Sequence, residues 1–150
     1  MSFNSTILNL NKKLEKILII GNGGRENSLG WAIQKNESIK NIYLSPGNAG
    51  SDKIKKCLRI DLDITDKKEL INKLKSLEID LVVIGPEIPL ADGLGDYLRL
   101  NDFDVFGPNQ DGARLEYSKS WAKEFMKNAN IPTSKFWKVN SFEEAEKVIL

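Results

Sequence analysis

The residues best suited to chemistry form the glycine-rich stretch GNGGRE at residues 21–26. It follows a short apolar run at 17–20, which predicts a buried strand, and it precedes a segment with an apolar helical face. A strand, a glycine turn and a helix in this order aim free backbone N–H groups at an anion. The stretch therefore predicts a phosphate site, although a tight turn that only packs a helix on a sheet would use the same residues.

This stretch favours a small phosphate or sugar-phosphate ligand over NAD. The dinucleotide fingerprint places glycine at its first, third and sixth positions, and Glu26 occupies the last of these. The fingerprint also needs an acidic residue about 20 residues further on, at the end of the second strand. The sequence there, at residues 41–46, is NIYLSP and contains no acid.

The composition excludes several classes of chemistry within this chain. Its 150 residues include one cysteine, Cys57, and no histidine, which rules out an internal disulfide, a cysteine or histidine metal site and imidazole catalysis. A net charge of +1 gives no reason to expect nucleic acid or a membrane as a partner. The polar leader at 1–15 lacks the apolar core of a secretory signal, so we expect a cytoplasmic protein.

The elements that must position the glycine stretch alternate along the chain. Apolar runs predict strands near positions 17, 39, 58, 81 and 104, and helical stripes lie between most of them. This alternation predicts an α/β fold with a Rossmann-like, mainly parallel sheet and helices on both faces. Further along, the sequence predicts a short helix at 112–117, a helix capped by Ser118, a strand at 136–139 and a final helix with a capping box at Ser141.

Three loops are expected to share the carboxyl edge of this sheet, at residues 21–27, 45–50 and 85–90. Ligands of open α/β sheets bind at that edge. Glu87 lies just beyond a buried strand, and neighbouring prolines restrict its position. Although a single loop glutamate is usually only solvated, the convergence of three glycine- or proline-shaped loops favours a binding site.

Five short motifs occur in one order and register: GNGGRE at 21–26, SPGNAG at 45–50, GPE at 85–87 with PL at 89–90, FGP at 106–108, and SK at 118–119 with AKEFM at 122–126. Together they resemble the N-terminal part of the phosphoribosylamine–glycine ligases, also called glycinamide ribonucleotide synthetases, of the ATP-grasp superfamily. The resemblance covers about residues 16–150. It implies a pre-ATP-grasp domain at 16–117 after a flexible leader at 1–15, and the beginning of an ATP-grasp domain at 118–150.

The resemblance implies a reaction that joins glycine to 5-phosphoribosylamine, in purine biosynthesis, with ATP and Mg²⁺. Glycine would be activated as an acyl phosphate, which the amine of phosphoribosylamine attacks. No catalytic residue and no metal ligand of this family is matched within the chain. Because the body of the ATP-grasp domain has no counterpart here, the chain is expected to be truncated and inactive alone.

The resemblance also implies which residues face the ligands. Those expected to bind phosphoribosylamine are Gly21, Asn22, Gly23, Gly24, Arg25, Glu26, Asn27, Gly47, Asn48, Gly50, Pro86, Glu87 and Pro89. Among them, the N–H groups of residues 22–24 would bind the 5-phosphate and Glu87 a ribose hydroxyl. Lys119 matches a lysine near the ATP phosphates, although an exposed first-turn lysine is an alternative. Asn27 stands where the family usually has histidine. Asparagine keeps the capacity to form hydrogen bonds but does not titrate as histidine does.

Other functions compete with this one. A different ATP-grasp enzyme, such as a biotin carboxylase or another purine ligase, would share the front domain. A non-catalytic sugar-phosphate binding module would keep the fold and lose the reaction. An NAD-dependent oxidoreductase is disfavoured by Glu26 and by the missing acid at the end of the second strand.

Overall fold

The computed structural model describes residues 13–149, and its centre is a five-stranded sheet. The strands are β1 (Lys16–Gly21), β2 (Asn41–Pro46), β3 (Cys57–Arg59), β4 (Leu81–Ile84) and β5 (Val105–Phe106). They lie in the order β3-β2-β1-β4-β5, and every neighbouring pair is parallel. The predicted α/β fold with a parallel sheet is therefore confirmed.

Seven α-helices and one 3₁₀ turn at Ser51–Lys53 accompany the strands within the described residues, and the α-helices are named in chain order. They are α1 (Gly24–Ile33), α2 (Lys67–Leu77), α3 (Glu87–Ala91), α4 (Leu94–Leu100), α5 (Gln110–Tyr117), α6 (Lys119–Asn128) and α7 (Phe142–Ile149). The predicted start of α2 is confirmed, because Asp66 accepts a hydrogen bond from the Glu69 N–H at 3.0 Å. None of the helices within 13–149 is both long and apolar enough to cross a bilayer.

The central strand β1 is buried on both faces, as its continuous apolar sequence predicts. Leu18 and Ile20 belong to a core cluster with the apolar stripes of α2 and α4. Ile17 and Ile19 face the opposite side, where Leu29 packs from α1. Each fully buried aliphatic side chain contributes about 1.5–3 kcal/mol, so the helices on both faces fix the sheet and its carboxyl edge.

Two predicted strands are shorter than the sequence suggested. The alternating pattern at 57–64 predicts one strand, but pairing with β2, the single neighbour of this edge strand, ends at Arg59. The Leu62 N–H donates to the Ser45 Oγ at 3.2 Å, which turns this segment away from the ladder and over the sheet edge. On the other side, β5 comprises only Val105 and Phe106.

The predicted strand at 136–139 is wrong, because residues 131–139 have no regular structure. A strand needs a paired neighbour, and no described strand lies beside this segment. Trp137 is instead 62% exposed. Ser118 precedes α6 as expected, but its side chain accepts no hydrogen bond from the helix. The capping box of α7 is partly formed, since Ser141 accepts from the Glu144 N–H at 3.2 Å.

The predicted leader at 1–15 falls outside the described residues except for its last three. At that point Glu15 and Lys16 both donate their backbone N–H groups to the Asp80 carboxylate, each at 2.9 Å. This carboxylate therefore ties the entry of β1 to the residue before β4.

Candidate functional site

The three loops predicted to share an edge do lie side by side. Strand β1 pairs with β2 on one side and with β4 on the other, so their carboxyl ends are adjacent. The backbone continues this pairing into the loops, because the Gly47 N–H donates to the Gly21 carbonyl at 3.1 Å and the Gly85 N–H donates to the Ile20 carbonyl at 3.0 Å. The predicted convergence of the loops is confirmed.

A cleft of about 230 Å³ opens at this edge. Four of its lining residues were predicted from the sequence as site residues: Gly21, Asn22, Pro86 and Pro89. Its opposite wall comes from Asp61, Leu62 and Ile64, which follow β3. Residues at or directly after β1, β2 and β4, the three loop-bearing strands, contribute to this common concave surface.

Glu26 lies beneath the first loop instead of facing the cleft. Its side chain is only 3% exposed. One carboxylate oxygen accepts the Gly23 N–H at 2.7 Å, and the other accepts the Arg25 Nε at 3.0 Å. Both carboxylate oxygens of Glu26 thus support the first loop from within.

The glycines around Glu26 make room for its side chain. A Cβ atom on Gly21, Gly23 or Gly85 would lie 2.6, 2.8 or 2.0 Å from the nearest Glu26 atom. Gly21 also has a φ of +134°, a conformation that side chains with a Cβ rarely adopt. Glycine at these positions, which predicts a phosphate loop, is therefore also needed to accommodate the buried Glu26 side chain. The sequence pattern does not reveal this burial.

Arg25 joins the first loop to the third. Its Nη2 donates to the Gly85 carbonyl, and its Nε pairs with Glu26. The hydrogen bond with Glu26 raises the pKa of Arg25 above its usual range, and the nearby carboxylate of Glu87 acts in the same direction. The guanidinium remains more than half exposed and carries a fixed positive charge at the rim of the edge.

The backbone donors of the first loop differ from those expected. The Gly23 N–H is already bonded to Glu26, so the predicted set at 22–24 is incomplete as an anion site. The N–H groups of Gly24, Arg25 and Glu26 form the first turn of α1, where helical bonding leaves donors free. No acceptor within residues 13–149 is bonded to these three groups or to the Asn22 N–H. The free donors therefore lie at residue 22 and at residues 24–26.

Predicted ligand residues of the first and second loops bond to one another. The Asn27 amide donates to the Asn48 Oδ1 at 2.7 Å, and Asn48 donates in turn to the Asn22 carbonyl at 2.6 Å. Gly47 is buried with a φ of +64°, and Gly50 packs against the Asn27 amide. Asn27, Gly47, Asn48 and Gly50 therefore lie together at this sheet edge, and they form hydrogen bonds or close contacts within the protein.

The third loop places Glu87 at the first position of α3, after Pro86. Among residues 13–149, none donates a hydrogen bond to its half-buried carboxylate. Lys119 does not line the cleft; it is the exposed first residue of α6. Within the same residues, no cluster of three or more Asp, Glu or Cys side chains could hold a metal ion.

The sequence did not single out Asp61 or Ser51. Asp61 was assigned to a strand, but the early end of β3 places it on the cleft wall. Ser51 is completely buried, and its hydroxyl donates to the Asn27 side chain and accepts from the Asn48 backbone N–H. The only sequence signal for Ser51 is its position directly after the PGNAG motif.

Comparison with known proteins assigns the part of the chain that carries these loops to a family. Residues 15–116 match the family described as "Phosphoribosylglycinamide synthetase, N domain". The chain is 42% identical over 130 residues to the phosphoribosylamine–glycine ligase of Clostridium acetobutylicum and 41% identical over 120 residues to that of a Nostoc species. These matches cover 87% and 80% of this chain but only 31% and 28% of the two relatives, so the chain spans about a third of their length.

A solved structure supports the fold. The protein described as glycinamide-RNase-transformylase T from Mycobacterium tuberculosis superposes with a TM-score of 0.65. The superposition covers 89% of this chain and 38% of the other at 18% sequence identity. At that identity the likeness speaks for the fold alone.

Proposed function

Because the chain belongs to the phosphoribosylglycinamide synthetase family through its N domain, we propose that it forms the substrate-binding N-terminal part of a phosphoribosylamine–glycine ligase. In the whole enzyme, ATP, glycine and 5-phosphoribosylamine would give glycinamide ribonucleotide, ADP and phosphate, as a step of purine synthesis. The observation that carries the proposal is that the three loops containing the family motifs lie side by side at one sheet edge. A cytoplasmic location belongs to the same proposal.

We assign residues 16–117 to the sugar-phosphate-binding domain and residues from 118 onward to the beginning of the ATP-grasp domain. The described residues do not by themselves fit an ATP or magnesium site. They contain no cluster of metal-ligating side chains, and Lys119 does not line the cleft. We therefore assign both ligands to the part of the family's length that this chain does not span, and derive no step through them.

The proposed role of this edge is to bind the phosphate and ribose of phosphoribosylamine. A helix N-terminus stabilises an exposed anion by only about 0.3–1 kcal/mol, so several donors must act together. The free N–H groups of Asn22 and of the first turn of α1 provide such a set, and the Arg25 guanidinium adds a positive charge beside them. The unbonded Glu87 carboxylate is available to accept a hydrogen bond from a ribose hydroxyl.

Thermal unfolding of the chain with glycinamide ribonucleotide, NAD or ATP tests the ligand class. A ligand at 100 times its Kd adds about 2.7 kcal/mol to the free energy of unfolding. At roughly 2–4 °C per kcal/mol for a chain of this size, the melting temperature should rise by roughly 5–11 °C. We expect this rise with glycinamide ribonucleotide. A rise with NAD alone would contradict the proposed function.

Two variants at Gly24 test whether a single backbone N–H of the first turn of α1 contributes to anion binding. Proline is well tolerated at the first position of a helix, and Gly23 already has the extended conformation that a following proline requires. Gly24→Pro therefore removes one free N–H without breaking a bond within the protein. Gly24→Ala keeps that N–H and places its Cβ in open space.

Losing one hydrogen bond to a charged group should weaken binding of glycinamide ribonucleotide by about 10- to 100-fold in Gly24→Pro. Gly24→Ala should bind as the unmodified chain does. Titration calorimetry measures both. Equal affinities of the two variants would show that the first turn of α1 does not hold the phosphate.

A further inference from the structure

The inference concerns three polar side chains that lie between the first and second loops: Asn27, Asn48 and Ser51. Their carboxamide and hydroxyl groups form one continuous hydrogen-bonded chain. Ser51 Oγ donates to Asn27 Oδ1 at 2.6 Å, and Asn27 Nδ2 donates to Asn48 Oδ1 at 2.7 Å. The chain closes on itself, because the Asn48 backbone N–H donates to Ser51 Oγ at 3.0 Å.

This closed chain, which we call the clasp, joins residues of both loops. Asn27 belongs to α1, while Asn48 and Ser51 follow β2. Asn48 also reaches the first loop directly, with its Nδ2 donating to the Asn22 carbonyl at 2.6 Å. Asn22 lines the cleft, and so does Pro46 at the start of the second loop. The clasp therefore links two walls of the cleft, in addition to the backbone hydrogen bond from the Gly47 N–H to the Gly21 carbonyl.

The polar capacity of the clasp is used inside the protein. Ser51 is 0% exposed and both its donor and its acceptor function are engaged. Asn48 Oδ1 accepts from Asn27 and also from the Gly50 N–H at 2.8 Å. The Asn27 carboxamide is bonded at both of its polar atoms, with Nδ2 donating to Asn48 and Oδ1 accepting from Ser51, so partners on both sides fix the orientation of this planar group.

The packing around the clasp leaves little freedom for movement. A Cβ on Gly50 would lie 2.4 Å from Asn27 Nδ2, and a Cβ on Gly47 would lie 3.1 Å from Ser51 Oγ. Glycine at both positions thus allows the second loop to approach the clasp closely. The PGN-G spacing of this loop is accounted for by contacts within the protein.

We propose that Asn27, Asn48 and Ser51 are positioning residues, which hold the first and second loops at the separation that the cleft needs for its sugar-phosphate ligand. They act through the backbone groups of the loops, not through their own contact with the ligand. This inference rests on the proposed function for the identity of the ligand. It assigns Ser51 a role that no sequence motif indicated, and it moves Asn27 and Asn48 from ligand contact to support.

The experiment compares variants of the full chain with two measurements. Ser51→Ala removes the hydroxyl, and Asn27→Asp removes the donor to Asn48. Asn72→Asp makes the same chemical change on the exposed face of α2 and is the matched control. NMR hydrogen exchange of the Asn48 and Gly50 backbone N–H groups reports on the clasp. Titration calorimetry with glycinamide ribonucleotide reports on the cleft.

For Ser51→Ala and Asn27→Asp we expect exchange of these two N–H groups to become at least about tenfold faster and affinity to fall by about tenfold or more, since each change breaks a buried hydrogen bond. Asn72→Asp should change neither. Unchanged exchange and affinity in both clasp variants would overturn the proposal. So would faster exchange without a loss of affinity, which would make the clasp a structural element only.

A loss of affinity with unaltered exchange would also overturn it, because the side chains would then contact the ligand directly. Rescue provides a separate test with Asn27→His. A neutral imidazole donates from one nitrogen and accepts at the other, as the Asn27 carboxamide does here, whereas the protonated ring only donates. The affinity of this variant relative to the unmodified chain should be retained near about pH 8 and fall near about pH 5.5, on either side of the usual histidine pKa.

The two proposals fail in different ways. If the unmodified chain does not bind glycinamide ribonucleotide, the proposed function is contradicted for this part of the enzyme. The exchange rates of the Asn48 and Gly50 N–H groups would still decide whether the clasp holds the loops together. A Ser51→Ala variant that exchanges like the unmodified chain would overturn the clasp whatever the ligand.

Discussion

Replacing Gly85 by alanine should destabilise the protein through one contact, with the buried side chain of Glu26. Gly85 does not have a positive φ, so its backbone accepts alanine. The added Cβ, however, would lie 2.0 Å from Glu26 Oε1 and 2.6 Å from its carboxyl carbon. Since non-bonded carbon atoms normally lie about 3.5–4.0 Å from one another, the Glu26 carboxylate has to move by about 1.5 Å.

A movement of that size has a defined consequence. It breaks the bonds that the carboxylate accepts from the Gly23 N–H at 2.7 Å and from the Arg25 Nε at 3.0 Å. Overpacking a filled site costs about 1–3 kcal/mol, and hydrogen bonds to a charged group contribute about 1.5–3 kcal/mol. Because these effects overlap, we expect Gly85→Ala to lower the free energy of unfolding by about 2–4 kcal/mol.

Urea unfolding followed by far-ultraviolet circular dichroism measures this change. Gly24→Ala is the matched control, since its Cβ has no neighbour within 4 Å. The control should leave stability unchanged or raise it by about 0.5–1 kcal/mol, because alanine restricts the unfolded chain. A similar loss in both variants would mean that glycine replacement itself, and not the contact with Glu26, causes the effect.

A double-mutant cycle gives the sharper refutation. Glu26→Ala removes the side chain that Gly85→Ala would displace, at the cost of the two hydrogen bonds. In that background the alanine at residue 85 should change stability by less than about 0.5 kcal/mol, whereas independent sites would show additive losses. If Gly85→Ala costs the same with and without the glutamate, the glycine does not make room for Glu26.

Three further predictions concern the scaffold. Burial raises the pKa of the Cys57 thiol from 9.0 to about 11. Since the neutral thiol is favoured in the folded state, its contribution to stability is complete below pH 9 and is lost as the pH rises to about 11. The stability difference between the unmodified chain and Cys57→Ala in urea unfolding should therefore shrink over that range, and a constant difference would refute it. Arg99→Met should lower stability by about 1.5–3 kcal/mol, because Arg99 bonds to Asp96 and to two carbonyls beside β5; the same assay tests it, and no change would show that water replaces these bonds. Asp66→Ala should cost about 1 kcal/mol through loss of the cap on α2, and an unchanged urea midpoint would count against that cap.

The sequence predicts the architecture well because each part of it follows from a local pattern. The apolar run before Gly21 and the stripe of α2 identify a buried strand and a surface helix, and their alternation leads to a parallel sheet. Parallel strands put their following loops at one edge, so the meeting of the three loops also follows. This chain of inference needs no knowledge of any side-chain contact.

The finer details depend on tertiary contacts that no local pattern contains. The burial of Glu26 requires glycine at residues 21 and 23 and also at residue 85, which is far from the other two in sequence. The segment at 136–139 is rich in aromatic and β-branched residues but has no strand to pair with among the described residues. Likewise, Asp61 reaches the cleft only because β3 loses its pairing at Arg59.

The bonding of the first loop to both neighbours bears on how this edge could be transplanted into another α/β scaffold. Moving residues 21–27 alone would carry the glutamate without the glycine at residue 85 that accommodates it. It would also carry Asn27 without the partners that orient its amide. The smallest portable unit is therefore discontinuous: the first loop together with residues 45–51 and the start of the third loop. A graft assembled from those three pieces would bring its own internal support to any sheet with three adjacent parallel strands.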